Sequence, residues 1–144
     1  MTTLSLKLGL TPQARSFLHR APPAIAKNLS SSGARFAKSF TGSFHYIHAF
    51  FVRSEKLDAR FPKLRQRLAV GGALWISWPK SGKLESDLTL TKIIKIGYSH
   101  GLVESKTIAV DAAWSAIKFT HPKKGKKYKN SYGKLPSYPS SAHE

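Results

Sequence analysis

Apolar positions along the chain follow two different periods. Leu57, Phe61, Leu64 and Leu68 recur at helical spacing after Ser54, a residue type that favours helix N-caps. Shorter helical patterns occupy residues 23–29 and a segment that begins at Asp87 or Thr89. Compact apolar runs predict strands at 14–19, 34–39, 44–52, 73–78, 102–110 and 114–120. Strands that alternate with helices in this way are typical of a three-layer α/β sheet.

The stretch from Gly71 to Lys80 suggests where a ligand would bind. We expect Gly71 and Gly72 to end a helix, a buried strand to follow, and Pro79 to stop it before a basic loop. In an open α/β sheet, ligands bind just beyond the carboxyl ends of the strands. We therefore expect a basic cleft for an anionic ligand, and its ligand-binding candidates are Pro22, His48, Phe50, Trp78, Lys80 and Ser81.

Five segments of the sequence carry a resemblance to a known family: 7–10, 47–50, 74–80, 101–106 and 109–119. Together they resemble a family of short bacterial proteins known only as a domain of unknown function, and the match runs from about Leu6 to Phe119. The resemblance implies a Rossmann-like sheet similar to a shortened class I methyltransferase, mostly parallel and ending in an antiparallel strand pair. His45 departs from the family, which has an acidic residue there.

A working methyltransferase of this class needs two features that the sequence lacks. A glycine-rich turn after the first strand lets the backbone approach S-adenosylmethionine, and an acidic residue after the second strand holds the ribose hydroxyls. Here the turn after the first strand is Arg20-Ala21-Pro22-Pro23, and no carboxylate precedes Glu55. The sequence therefore predicts no cofactor and favours a protein that is not an enzyme.

The sequence gives little support for other sets of catalytic residues. The chain has no cysteine, and on a regular strand His45 and His48 would point to opposite faces, so we expect no metal site. A Ser-His-Asp set could be drawn from Ser77 or Ser115 with His48 and Asp111, but no nucleophile elbow supports it. For His48 two interpretations stay open: a proton donor or anion ligand in the cleft, or a hydrogen-bonded core residue.

Charge separates the end of the chain from the rest. The net charge is +17, from 24 Lys and Arg against 7 Asp and Glu. We expect one α/β domain over residues 1–120 and a basic, disordered tail over 121–144, where apolar periodicity stops. Lysines for phosphates and a tyrosine for stacking make nucleic-acid candidates of Lys123, Lys124, Lys126, Lys127, Tyr128 and Lys129.

These observations predict a cytoplasmic protein, because no apolar run is long enough to span a bilayer. The favoured function is a non-catalytic binding or regulatory role, in which the basic cleft accepts an anionic small molecule or partner. Two alternatives stay open. One is association with nucleic acid through the tail, and the other is an enzyme that acts on a phosphorylated or acidic small molecule.

Overall fold

A computed structural model describes residues 3–126, 128 and 135. Its helices are α1 (Leu4–Leu8), α2 (Pro23–Ser30), α3 (Ser54–Arg67) and α4 (Leu90–Ser99), and irregular 3-10 turns occupy Lys80–Glu85. Its strands are β1 (Ser16–His19), β2 (Phe44–Phe50), β3 (Leu68–Pro79), β4 (Val103–Ala109) and β5 (Trp114–Thr120). The predicted division into a domain and a tail stays a prediction.

The five strands form one sheet in the order β1-β2-β3-β5-β4. β1, β2 and β3 are parallel, whereas β5 runs antiparallel to both β3 and β4. The α/β class and the final antiparallel pair are thus confirmed, but the prediction of a mostly parallel sheet is wrong, because the sheet is mixed. Only four residues separate β4 from β5, and Asp111 Oδ1 accepts hydrogen bonds there from the N–H groups of Ala113 and Trp114. So short a link permits a hairpin but no crossover to a parallel strand.

Helices cover both faces of the sheet. On one face, residues from α1 and α2 pack against Tyr46, Phe50 and Trp75, and the Trp75 Nε1–H donates to the carbonyl of Leu8 over 2.9 Å. On the other face, the apolar stripe of α3 and the inner side of α4 pack against the remaining strand residues. In the part of the chain that the structure describes, no helix is long and apolar enough to cross a membrane. The cellular compartment stays a prediction.

Two predicted elements differ from the structure. α3 ends at Arg67, so Gly71 and Gly72 lie inside β3 and do not end the helix. A Cβ on Gly72 would lie 3.0 Å from the Cα and the carbonyl oxygen of His45, so glycine is needed where β3 comes close to β2. The run at 34–39 contributes only one bridge, between Phe36 and Ser16.

Candidate functional site

The carboxyl ends of β1 and β2 and the start of β5 meet at one edge of the sheet, where two cavities adjoin. The first, which we call the β1–α3 cavity, has a volume of about 420 Å³ and is lined by His19, Arg20, Phe51, Lys56, Ala59, Arg60 and Lys63. The second, the β2–β5 cavity, has a volume of about 330 Å³ and is lined by Arg20, Phe50, Phe51, Val52, Arg53, Lys56 and Trp114. Together they form the carboxyl-edge cleft.

Three residues line both cavities and so join them. Arg20 follows β1, Phe51 follows β2, and Lys56 lies in the first turn of α3. A ligand in one cavity therefore lies next to a ligand in the other. The Phe50 and Trp114 rings close the β2–β5 cavity, with centroids 5.3 Å apart in an edge-to-face arrangement.

The backbone of Arg20 has an unusual conformation. Its φ is 58°, in the left-handed region that glycine adopts most easily. The chain turns there from β1 towards Pro22 and Pro23, which open α2. Strained residues of this kind cluster at functional sites, where the surrounding structure holds them in place. The turn thus presents a guanidinium group to both cavities, although the sequence supplies no glycine.

The N-terminus of α3 is capped from a distant loop. Asp87 accepts hydrogen bonds from the Ser54 N–H over 2.8 Å and from the Ser54 hydroxyl over 2.7 Å. These bonds are the main reason why the pKa of the Asp87 carboxyl lies below its usual value. Asp87 therefore fixes the loop after β3 to the helix beside the cleft, while Thr89 caps α4.

His19 is the titratable ring of the cleft. It is half-buried in the β1–α3 cavity, and its ring centroid lies 5.5 Å from that of Phe51. Burial first, then the positive charges of Arg60 and Arg20, lowers the pKa of His19 from 6.5 to about 4. The imidazole is therefore neutral near neutral pH and able to accept a proton.

A second histidine belongs to a buried chain of hydrogen bonds behind the cleft. The Tyr46 hydroxyl lies 2.9 Å from His48 Nδ1, and the Ser77 hydroxyl lies 2.6 Å from His48 Nε2. All three side chains are buried, and His48 stacks on Phe50 with ring centroids 4.4 Å apart. Burial lowers the pKa of His48 to about 3 and raises the pKa of Tyr46. The structure thus places His48 in the core, hydrogen-bonded through both nitrogens.

The predicted ligand-binding residues lie in several places. Phe50 lines the carboxyl-edge cleft, whereas Trp78 lines a third cavity of about 290 Å³ beside β4 and β5. Pro22 is half-buried before α2, and the Lys80 N–H donates to the carbonyl of Ala113 over 2.8 Å. Ser81 is exposed with a φ of 50°. Their roles in ligand binding stay predictions.

Among the residues that line the two cavities, only Phe50 was a predicted ligand-binding residue. Those that did not follow from the sequence include His19, Arg20, Lys56, Arg60 and Lys63. A signal for part of this set was present, because positions 56, 60 and 63 recur at helical spacing on the polar side of α3. Such a row also describes an ordinary solvated helix face, and only the packing of α3 beside the end of β1 separates the two cases.

The tail candidates lie only partly within the described residues. The Lys123 N–H donates to the Tyr128 hydroxyl over 2.9 Å, and Lys126 Nζ lies 5.2 Å from the centroid of the Tyr128 ring. Lys124 is exposed. Lys127 and Lys129 lie outside the described residues, so their predicted contact with nucleic acid stays a prediction.

Solved structures supply the comparison that bears on the fold. The N-methyltransferase NodS from Bradyrhizobium japonicum WM9 matches with a TM-score of 0.52 and 15% identity, over 85% of this chain and 82% of that one. LepI, in a complex with SAM, matches with a TM-score of 0.52 and 10% identity, over 83% of this chain and 39% of that one. The fold is methyltransferase-like. No family model and no curated protein sequence matches the chain, so membership of the resembled family stays a prediction.

This finding corrects the predicted function. The non-catalytic binding or regulatory role is wrong as the favoured prediction, because the solved structures that share this fold are NodS, an N-methyltransferase, and LepI, in a complex with SAM. The prediction came from the missing glycine-rich turn. That turn is one local feature, however, and the scaffold and its cleft persist without it.

Proposed function

We propose that the chain has a methyltransferase-like function, in which a small group passes between two ligands held in the carboxyl-edge cleft. The observation that carries this proposal is the pair of adjoining cavities that share Arg20, Phe51 and Lys56. Two bound ligands must lie side by side for a group to pass between them, and such positioning supplies much of the rate enhancement. The neighbouring structures support it, because NodS is an N-methyltransferase with the same fold.

His19 is suited to act as the general base of such a reaction. An acceptor hydroxyl or amine must lose its proton as the new bond forms, and a neutral imidazole within the cavity accepts it. His19 lines the β1–α3 cavity, and its ring is neutral near neutral pH because its pKa is lowered to about 4. The same shift makes it a weak base, and a bound ligand that offsets the charges of Arg60 and Arg20 would strengthen it. Arg20 and Arg60 are placed to stabilise negative charge that develops on the ligands.

S-adenosylmethionine, the ligand named with LepI, does not fit the residues present. It carries a sulfonium, an ammonium and a carboxylate group and is a net cation, whereas the charged residues that line the two cavities are all basic. No carboxylate among them could hold the ribose hydroxyls, and the turn after β1 has no glycine.

The test is an untargeted search for turnover. The full-length protein is incubated with a size-filtered extract of bacterial metabolites, with and without methyl-labelled S-adenosylmethionine, and the mixture is followed by mass spectrometry. We expect two metabolites to be consumed and two to appear, because the acceptor gains the mass that the donor loses, and this mass identifies the transferred group. We expect His19→Asn to slow this conversion by about 100-fold or more, the usual contribution of a general base.

His45→Asn is the matched control, because His45 is an exposed histidine that lines neither cavity of the cleft. It should convert the metabolite at the wild-type rate. An extract that the protein leaves unchanged, or a conversion that His19→Asn and His45→Asn slow equally, would contradict the proposed function.

A further inference from the structure

The β1–α3 cavity is lined by several positively charged side chains. Four cationic side chains line it: Arg20, Lys56, Arg60 and Lys63. No carboxylate is among the residues that line it, although the chain holds seven acidic residues elsewhere. A concave site lined by charges of one sign concentrates ligands of the opposite sign.

The cations lie on two elements that face each other. Lys56, Arg60 and Lys63 are spaced four and three residues apart, so they share one face of α3. At a rise of about 1.5 Å per residue, this row is about 10 Å long. The small side chain of Ala59 lies in the same lining and leaves room between them. Arg20 comes from the other side, at the end of β1.

None of these four cations has a counter-ion among the residues that the structure describes. The ion pairs there involve Arg53 with Glu55 and Asp87, and His100 with Asp58. Like charges that share a cavity repel one another, and a bound anion removes that repulsion. The lowered pKa of His19, to which Arg60 and Arg20 both contribute, reports the same positive potential from inside the cavity.

We propose that the β1–α3 cavity binds two linked phosphate groups, as in a diphosphate-bearing small molecule. S-adenosylmethionine does not fit the residues of the same cleft. A single phosphate group carries about 1.5 to 2 negative charges at neutral pH. A second, linked phosphate adds to this charge, so a diphosphate offsets more of the four cations than one phosphate does. The volume of about 420 Å³ lies within the usual range for small-molecule sites. The role of a diphosphate compound as a substrate of the cleft rests on the proposed function. Its binding, however, can be tested without turnover.

The first experiment is calorimetric titration of the full-length protein with inorganic pyrophosphate and, separately, with inorganic phosphate, at about physiological salt. We expect pyrophosphate to bind at least about 10-fold more tightly than phosphate, because it engages cations at both ends of the row. The double variant Arg60→Gln/Lys63→Gln should weaken pyrophosphate binding by about 10-fold or more. Both residues are exposed and glutamine is a good helix former, so α3 should stay intact.

The matched control is Lys27→Gln/Lys95→Gln, which removes the same net charge from exposed helical positions that do not line the cavity. It should leave pyrophosphate affinity within about 2-fold, the change expected from screened surface charges. Equal losses in the two double variants, or equal affinities for phosphate and pyrophosphate, would overturn the proposal. The proposal would also be overturned if the binding of a short oligothymidylate depended on Arg60 and Lys63 more strongly than the binding of pyrophosphate does.

The two proposals fail separately. Pyrophosphate binding that depends on Arg60 and Lys63, in a protein that converts no metabolite, would retain the diphosphate site and remove the proposed function. Conversion of a metabolite that Arg60→Gln/Lys63→Gln does not affect would retain the function and remove the site.

Discussion

Two histidines, 29 residues apart on neighbouring strands, show how differently a neutral imidazole can be used. His48 is fully buried, and both of its nitrogens are hydrogen-bonded, to Tyr46 and to Ser77. His19 lines the β1–α3 cavity, and two arginines add to the effect of burial on its pKa. A histidine whose nitrogens are both engaged in the core joins strands, whereas one that faces a charged cavity is available for chemistry.

The causes of the two lowered pKa values explain the difference. For His48 the only cause is burial, which penalises the charged ring wherever it occurs in a core. For His19, Arg60 and Arg20 act as well, so its protonation depends on what the cavity contains. Sequence reasoning considered His48 as a proton donor because it lies near the end of β2, and the structure favours its alternative as a core residue. The comparison can be tested by removing each ring in turn.

Removal of the His48 ring should have the largest effect, and that effect should be on stability. His48→Ala leaves a cavity in the core and takes the hydrogen-bond partner from the buried hydroxyls of Tyr46 and Ser77. We expect a loss of about 3 kcal/mol in the free energy of unfolding, measured by urea denaturation. Pyrophosphate affinity should be unchanged at temperatures where the variant is folded.

His45→Ala is the control for this measurement, because an exposed side chain on the same strand should change the free energy of unfolding by less than about 0.5 kcal/mol. A loss below about 1 kcal/mol for His48→Ala, together with loss of pyrophosphate binding, would reverse the roles that we assign to the two histidines.

The pH dependence of stability should carry a smaller contribution from each ring. In the unfolded chain both histidines bind a proton below about pH 6.5, whereas in the fold they stay neutral down to about 4 for His19 and about 3 for His48. The unfolded state therefore binds more protons in this window, and stability falls as the pH is lowered. We expect His48 to contribute about 1.4 kcal/mol per pH unit to the slope of the free energy of unfolding. The half-buried His19 should contribute less, because solvent screens its interactions.

The measurement is urea denaturation between about pH 5 and about pH 6, above the range in which most carboxylates titrate. His48→Asn should reduce the slope by about 1.4 kcal/mol per pH unit, and His19→Asn should reduce it by a smaller amount. A slope that His19→Asn does not change would mean that the pKa of His19 is the same in the folded and unfolded states, and the effect assigned to burial and to the two arginines would be lost.

Local sequence patterns predicted the α/β class and the final hairpin better than the directions of the other strands in the sheet. The apolar run that became β5 and the short link before it were enough to predict the hairpin, because a link of this length permits no other connection. Gly71 and Gly72 were misassigned, since a glycine pair ends a helix and allows strands to approach closely by the same freedom of the backbone. Which of the two applies depends on the position of His45, about 27 residues earlier in the chain.

Only the part of the candidate site that lies at the end of a single strand could be predicted from the sequence. Phe50 followed from the rule that ligands lie beyond strand ends, and it does line the cleft. The cationic cavity needs Arg20 beside Arg60, two residues that are brought together by the packing of α3 next to β1. No local period encodes that contact. The basic residues of α3 therefore gave the same signal as a solvated helix face.

The smallest effect, and the sharpest test of the comparison, is the response of the two rings to pyrophosphate. A bound diphosphate offsets the charges of Arg60 and Arg20, so the pKa of His19 should rise, although burial keeps it below the ordinary value of 6.5. The pKa of His48 should not change, since burial alone lowers it. Both can be read from the imidazole Cε1–H shifts in an NMR titration, with the His19 signal assigned by its loss in His19→Asn. Arg60→Gln should raise the pKa of His19 without pyrophosphate and reduce the further rise when it is added. A pKa of His19 that pyrophosphate does not move would place the anion outside the β1–α3 cavity, and an equal response from His48 would show that the core changes instead.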